Sequence, residues 1–227
     1  KTIAIVLEPI QGEGGVHVAQ AQYLSSVRRL CHDKKIYLIF DEVQTGMGRT
    51  GRMFAFKNYG LEPDVMTLAK SLGGGFPIGA MIAKKEIADV LQPGTHATTF
   101  GGGPLACGAS LAVFEAIEKE KLLNNAVITG SHLFKRLREL QKKHSIIREV
   151  RGMALMAGVE LSVEGKNIYE ECLKRRLLIN CTQSHVLRIM PPLIVKEKEV
   201  DHAVEILDEV LCQEEERCLT KEGSKAA

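Results

Sequence analysis

Ile36-Tyr37-Leu38-Ile39-Phe40-Asp41 is an unbroken apolar run ending on a carboxylate, and its reading decides the fold class. About five apolar residues without alternation read as a strand buried on both faces, as in a helix-covered parallel sheet. The pattern recurs on either side. Ile3-Ala4-Ile5-Val6-Leu7 leads to Glu8, and Val65-Met66-Thr67-Leu68-Ala69 leads to Lys70. Between the first two runs, Leu24, Val27 and Cys31 recur at helical spacing and predict an amphipathic helix. Strand, helix and strand in this order predict an α/β domain with a mostly parallel sheet. Ligands of such sheets sit beyond the carboxyl ends of the strands. Glu8, Asp41 and Lys70 are therefore expected to converge on one crevice. The next run, Ile78 to Ala83, follows Lys70 after only a glycine-rich turn. A parallel crossover needs a dozen or more residues, so this strand is expected to be antiparallel to its predecessor.

Further on, Pro104 opens a long helical stretch from Leu105 to Glu118, proline being suited to a first-turn position. A second helix carries Ala126, Leu133, Leu137 and Leu140 on one face. Then the pattern changes: Ile146 to Val150 and Leu155 to Leu161 read as strands, Ile168 to Arg175 as a helix, Val186 to Met190 as a strand. A last helix carries Val200, Val204, Leu207 and Leu211. This alternation predicts a smaller α+β domain over 123–217, after a larger domain over 1–122. Residues 218–227 read as a polar, disordered tail.

Composition narrows the function classes. The 227 residues carry 45% hydrophobic and 26% charged residues and a formal net charge of +2. That charge is too small to make nucleic acid or an anionic membrane the main partner. No apolar run approaches the ~20 residues that span a bilayer. Six cysteines lie scattered without CxxC spacing, so neither a metal site nor a disulfide framework is indicated, and a reducing cytoplasm is the expected compartment. The chain opens on Lys1 and enters a strand at once, which reads as the middle of a longer protein.

Three segments carry chemistry. Asp41-Glu42-Val43-Gln44-Thr45-Gly46 places a carboxylate at a strand end, followed by Gly48-Arg49-Thr50-Gly51. Such an Asp binds a metal, acts as a base, holds a cationic ring nitrogen, or is merely solvated. The metal reading is weak, because Glu42 points to the opposite strand face. Lys70, directly after a buried strand, is expected to be partly desolvated, which lowers an amine's basicity and makes it a nucleophile toward carbonyls. The glycines after it lack GxxxxGK[ST] order, so a nucleotide P-loop is not indicated. Thr95 to Pro104 combines hydroxyls and glycine amides at a helix N-terminus, which suits a phosphate or a plain cap equally.

The strings EPIQGEGG (Glu8 to Gly15), DEVQTGMGRTG (Asp41 to Gly51), TLAKSLGGGFPIGA (Thr67 to Ala80), HATTFGGGPLA (His96 to Ala106) and LRIMPPLIV (Leu187 to Val195) resemble the class III aminotransferases. These are fold-type I enzymes dependent on pyridoxal 5'-phosphate (PLP), and the wording is closest to their acetylornithine branch. The resemblance implies the second half of a PLP-transferase large domain followed by the small C-terminal domain. It implies that Lys70 is the Schiff-base lysine and moves a proton during transfer. Asp41 matches the aspartate facing the pyridine nitrogen, and Glu42 is counted with it among the cofactor-binding residues. Val43 matches the residue packed on one ring face, and Gln44 the partner of the ring oxygen. Thr99 matches the threonine that reaches the phosphate of a neighbouring subunit, so a homodimer with shared sites is implied. Thr98 lies beside the substrate, Arg188 matches the carboxylate-binding arginine, and Glu13 a glutamate that pairs with it.

The implied reaction moves the terminal amine of N2-acetylornithine to 2-oxoglutarate, in arginine biosynthesis. Ornithine, 4-aminobutyrate or succinylornithine as donor, isomerisation of glutamate semialdehyde, or a catalytically silent paralogous partner, are the alternatives. Two positions depart from the family: Gly103 stands where Asn is usual, and Ala154 where Gly is common. The family's N-terminal half normally supplies phosphate-loop glycines, a stacked aromatic ring and a second substrate arginine. This chain by itself is therefore expected to be inactive.

Overall fold

In the computed structural model, residues 1–223 are described, side chains through Thr220. The elements in chain order are β1 (Ala4–Leu7), β2 (Ile10–Gln11), β3 (His17–Val18), α1 (Ala21–Lys34), β4 (Tyr37–Asp41), β5 (Val65–Leu68), β6 (Ala80–Ala83), α2 (Lys85–Ala88), α3 (Pro104–Lys119), α4 (Leu122–Lys143), β7 (Ile147–Met153), β8 (Met156–Leu161), α5 (Lys166–Lys174), β9 (Asn180–Thr182), β10 (Val186–Ile189) and α6 (Glu197–Gly223). The chain forms two compact units. One holds Lys1–Gly12 and Val18–Asn124; the other holds Glu13–His17 and the chain from Asn125 onward. That five-residue insertion from early in the chain was not visible in the sequence.

The first unit is built on a four-stranded sheet of order β1-β4-β5-β6. β1, β4 and β5 run parallel, and β6 is antiparallel to β5, as the short turn after Lys70 dictates. Leu24, Val27 and Cys31 of α1 pack with Leu38 and Phe40 of β4 in one cluster. Burial on both faces holds for β5; β4 buries Leu38 and Phe40 on one face, while on the other Ile39 is half-buried and Tyr37 exposed, and the sheet edges are open. Val6 of β1 is 61% exposed, and Met81 and Ile82 of β6 are also exposed, because no described element covers them. Gly103 is the N-cap of α3 and Pro104 opens the helix; no side chain caps it. Glycine in place of Asn at an N-cap costs only a few tenths of a kcal/mol.

Asp64, 7% exposed, ties this sheet together. Its carboxylate accepts from Leu38 N at 2.8 Å, from Arg28 Nη1 at 2.8 Å and from Lys84 Nζ at 2.8 Å, joining β4, α1 and the end of β6. Burial alone would raise its pKa. The hydrogen bonds from Leu38, Lys84 and Arg28 outweigh burial and hold it below the ordinary carboxylate range. A depressed folded-state pKa means the unfolded chain binds the extra proton first as pH falls. The contribution is therefore present above the unfolded pKa of ~3.9 and lost as pH falls through the folded value. Asp64→Asn is expected to cost about 2–3 kcal/mol at pH 7, since it removes one partner of a buried ion cluster whose cations partly resolvate. Urea denaturation of both proteins should show this gap closing below pH ~4.

The second unit holds the antiparallel sheet β7-β8-β10-β9, so it is α+β as expected. Its core joins Ala126, Leu133, Leu137 and Leu140 of α4, Val159 and Leu161 of β8, Leu187 of β10, and Val200, Val204, Leu207 and Leu211 of α6. The short strand β9 escaped sequence reading because three residues carry no usable periodicity. Ala154, in the turn between β7 and β8, has a left-handed backbone (φ 49°). That conformation explains a preference for glycine there. α6 runs to Gly223, so residues 218–223 are helical where a disordered tail was expected. The stretch contains no internal breaker before Gly223, and Arg217 bonds back to Glu214 three residues earlier. The remainder of the expected tail lies outside the described residues.

Candidate active site

Asp41 closes β4, and Thr67 stands beside it in the parallel register of β5. Adjacent strands lie ~4.8 Å apart, and the three residues from Thr67 to Lys70 reach ~10 Å at most. The Cα atoms of Asp41 and Lys70 therefore lie within ~15 Å. Asp41 is half-buried, and its Oδ1 accepts from Val43 N at 2.9 Å. That bond orients the carboxylate by folding the chain back over it. Lys70 begins a 3-10 turn after β5 with φ 47°, a left-handed backbone that is costly for a residue with a side chain. The sequence reading expected a partly desolvated amine here. Instead Lys70 is exposed, because β5 ends at Leu68 and this turn carries the side chain out of the sheet.

Glu42 faces the other way, as strand alternation requires. It is 1% exposed. Thr45 Oγ1 (2.6 Å) and Ala55 N (2.8 Å) donate to its Oε2, and Phe56 N (2.8 Å) to its Oε1. Burial raises its pKa, and these donors only partly offset that. The carboxylate pins the loop from Asp41 to Asn58 and thereby fixes Val43 and Gln44. Its two oxygens serve that loop, whatever lies on the Asp41 side. In the same loop, burial pulls the Arg49 guanidinium down to about 10, so it stays a cation at neutral pH.

Gln44 packs its side-chain amide against Gly12. A Cβ on Gly12 would collide with the Gln44 amide, and Gly12 N donates to Glu8 Oε2 at 2.9 Å. Glu8 thus fixes Gly12, and Gly12 leaves room for Gln44, a role that nothing within Glu8 to Gly15 announces. Gly12→Ala is expected to displace the Gln44 side chain and weaken cofactor binding about tenfold, an effect of ~1.4 kcal/mol. Cofactor titration by absorbance measures it. Unchanged affinity would remove Gln44 from the site.

Thr98 and Thr99 are exposed, between α2 and α3. Beside them a cavity of about 660 Å³ is lined by Phe76, Pro77, Ile78, Phe100, Pro104 and Leu105. Phe100, next to Thr99, is 91% exposed.

In the second unit, Arg188 Nη1 donates to Glu13 Oε1 at 2.6 Å; the side chains are 12% and 67% exposed. The pair inferred between these residues, 175 positions apart, is formed. Among the described residues, His144, Asp208 and Cys212 bring donor atoms within 4.8 Å of one another. The His144 ring lies between Asp208 Oδ1 (2.6 Å) and Glu215 Oε2 (2.9 Å), and Lys143 Nζ contacts Asp208 Oδ2 at 2.7 Å. These groups balance one another's charge and clamp the end of α4 to α6. The cluster needs no ion to explain it.

An oriented carboxylate and an exposed lysine following neighbouring parallel strands at the same sheet end, with an amide packed against a glycine, together fit PLP. The comparisons point the same way. The family described as aminotransferase class-III matches residues 1–211. Acetylornithine aminotransferase of Methanocaldococcus jannaschii is 54% identical over 213 residues, covering 94% of this chain and 54% of that protein. Ornithine aminotransferase 1 of Staphylococcus saprophyticus is 43% identical, covering 93% and 53%. Among solved structures, acetylornithine aminotransferase from Elizabethkingia anophelis superposes with a TM-score of 0.87 at 33% identity, covering 92% of this chain and 54% of that one. An ornithine aminotransferase from Toxoplasma gondii, described with partial occupancy of PLP at its active site, gives a TM-score of 0.89 at 36% identity, covering 94% and 51%. The chain thus spans about half the length of the relatives it matches. No described helix is long and apolar enough to cross a membrane.

Proposed function

Because the chain belongs to the class-III aminotransferases, we propose that the protein it forms part of transfers the terminal amine of N2-acetylornithine to 2-oxoglutarate, as a step of arginine biosynthesis. The observation that supports this is the parallel β4–β5 register, from which the segments carrying Asp41 and Lys70 leave at the same end of one sheet. PLP, when bound, supplies the carbonyl that takes up and releases the amino group and the ring that accepts the carbanion's electrons. The chain's residues do the rest. Lys70 Nζ would hold the cofactor in the resting enzyme and, once displaced by the incoming amine, would carry a proton from the substrate's reacting carbon to the cofactor carbon that keeps the amine. Asp41 holds a proton on the ring nitrogen, Val43 packs on the ring face, and Gln44 donates to the ring oxygen. Thr98 lines the donor, and Thr99 donates to the cofactor phosphate of a second copy, which makes the enzyme a homodimer. The exposed Phe76, Phe100 and Leu105, grouped around one cavity beside Thr99, support that role, since a contiguous apolar patch marks an interaction surface. Cytoplasm is the proposed compartment.

Arg188 binds the carboxylate of 2-oxoglutarate through a planar fork of donors. Glu13 masks it while the donor reacts at its far end. The ornithine aminotransferases among the relatives favour ornithine as the second reading. A donor panel on the full-length protein, run with Glu13→Gln and Arg188→Ala in separate half-reactions, tests both. Arg188→Ala is expected to weaken the 2-oxoglutarate half about 100-fold, near 3 kcal/mol for a lost charged pair. Equal losses in both halves would rule out the gate. Higher kcat/KM with ornithine than with its acetylated form would move the assignment to the second reading.

A further inference from the structure

Residues 13–16 lie across one row of the small sheet. Arg151 of β7 pairs with Gly158 of β8, and Gly158 pairs on its other side with Arg188 of β10. Cross-strand partners share a face, so two arginines flank a glycine notch. Val16, fully buried and with φ 57°, sits in that notch; a Cβ on Gly158 would come to 2.9 Å from the Val16 Cβ. Arg151 donates to Gly15 O from Nε at 3.0 Å and from Nη2 at 2.8 Å. Its Nη1 is held by Glu149 and Glu160, and its side chain is 9% exposed. Gln183 Nε2 donates to Glu13 O at 2.9 Å. The backbone of this loop is therefore fastened at Glu13, Gly15 and Val16, while the Glu13 side chain projects into solvent as far as Arg188.

We infer that Arg151, with the notch at Gly158, is the positioning residue that fixes the loop backbone, so that Glu13 covers and uncovers Arg188 by side-chain rotation alone. This rests on the amino-transfer reading above. A side-chain swing is faster than loop movement, and it leaves Arg188 in place for the second substrate. The fork geometry matters: one edge of the guanidinium, Nε and Nη2, holds Gly15 O while Nη1 is balanced by two carboxylates, which the point charge of lysine cannot reproduce.

The test uses the full-length holoenzyme with Arg151→Gln, Arg151→Lys, Gly158→Ala and Glu13→Gln. Arg151→Gln is expected to lower kcat/KM of the donor half-reaction about tenfold and change the 2-oxoglutarate half less than about threefold. Amide exchange at residues 13–17 should quicken at least about tenfold. Arg151→Lys should recover only part of both effects. Gly158→Ala, which pushes on Val16 and leaves Arg151 intact, should reproduce the split. Equal loss in both halves, or unchanged exchange at 13–17, overturns the inference. If Glu13→Gln shows the split and neither Arg151→Gln nor Gly158→Ala does, this inference alone fails. If Glu13→Gln shows no split, or the wild type transfers no amine, the underlying reading fails first.

Discussion

Replacing Lys70 with alanine is expected to abolish amino transfer, by about 10⁴-fold or more, and to leave the fold intact. The magnitude follows from losing a covalent attachment point and a proton-transfer group in one step. The fold should survive because Lys70 is exposed and begins a 3-10 turn rather than packing in the core. Its left-handed backbone is set by the turn, where Leu72 N donates to Ala69 O at 2.9 Å and Gly74 N to Ser71 O at 3.2 Å. Alanine keeps those bonds. Borohydride treatment should fix the cofactor to the wild type and add its mass to the peptide containing Lys70. The alanine protein should show neither the mass nor the cofactor-linked absorbance. Lys70→Arg separates charge from chemistry, because arginine stays a cation and is a poor nucleophile. Full activity in the arginine protein, or labelling of another lysine in both variants, would remove Lys70 from the role.

The reasons the sequence revealed some features and hid others are local. The apolar runs before Asp41 and Lys70 have few alternative readings, and the short turn after Lys70 forbids a parallel return, so order and direction of these strands were legible. Asp41 and Lys70 were legible for the same reason: a charge directly after a buried strand can only sit at the sheet's end. The exposure of Lys70 was not, because it depends on one positive φ that no side chain announces. Glu13 and Arg188 came through resemblance, since nothing local links residues 175 positions apart. Arg151 was missed altogether. Val150-Arg151-Gly152 looks like an ordinary strand carrying a surface charge, and its meaning comes from Gly15 O arriving from the other end of the chain. The available signal was a glycine-rich loop too short to form its own core, which needs an anchor elsewhere.

Asp41→Asn is the sharper test of the electrostatics. Asparagine keeps the shape and, through Oδ1, can still accept the hydrogen bond that Val43 N makes at 2.9 Å. The loop held by Glu42 is untouched, because that carboxylate bonds Thr45, Ala55 and Phe56 on the other face. The negative charge is removed, and an amide NH2, a donor, replaces the second carboxylate oxygen. A carboxylate beside a ring nitrogen favours the protonated ring by one to three pKa units. Without it the ring is a poorer electron acceptor in every step that breaks a bond at the reacting carbon. The expected loss is about 10³-fold in kcat for both half-reactions, or ~4 kcal/mol. Cofactor affinity should fall by no more than about tenfold, since the attachment at Lys70 remains. This equal loss in both halves distinguishes Asp41 from Glu13 and Arg188, whose variants should split them. A variant within about threefold of wild type in kcat would mean the carboxylate serves the loop through Val43 and has no part in holding the ring's proton.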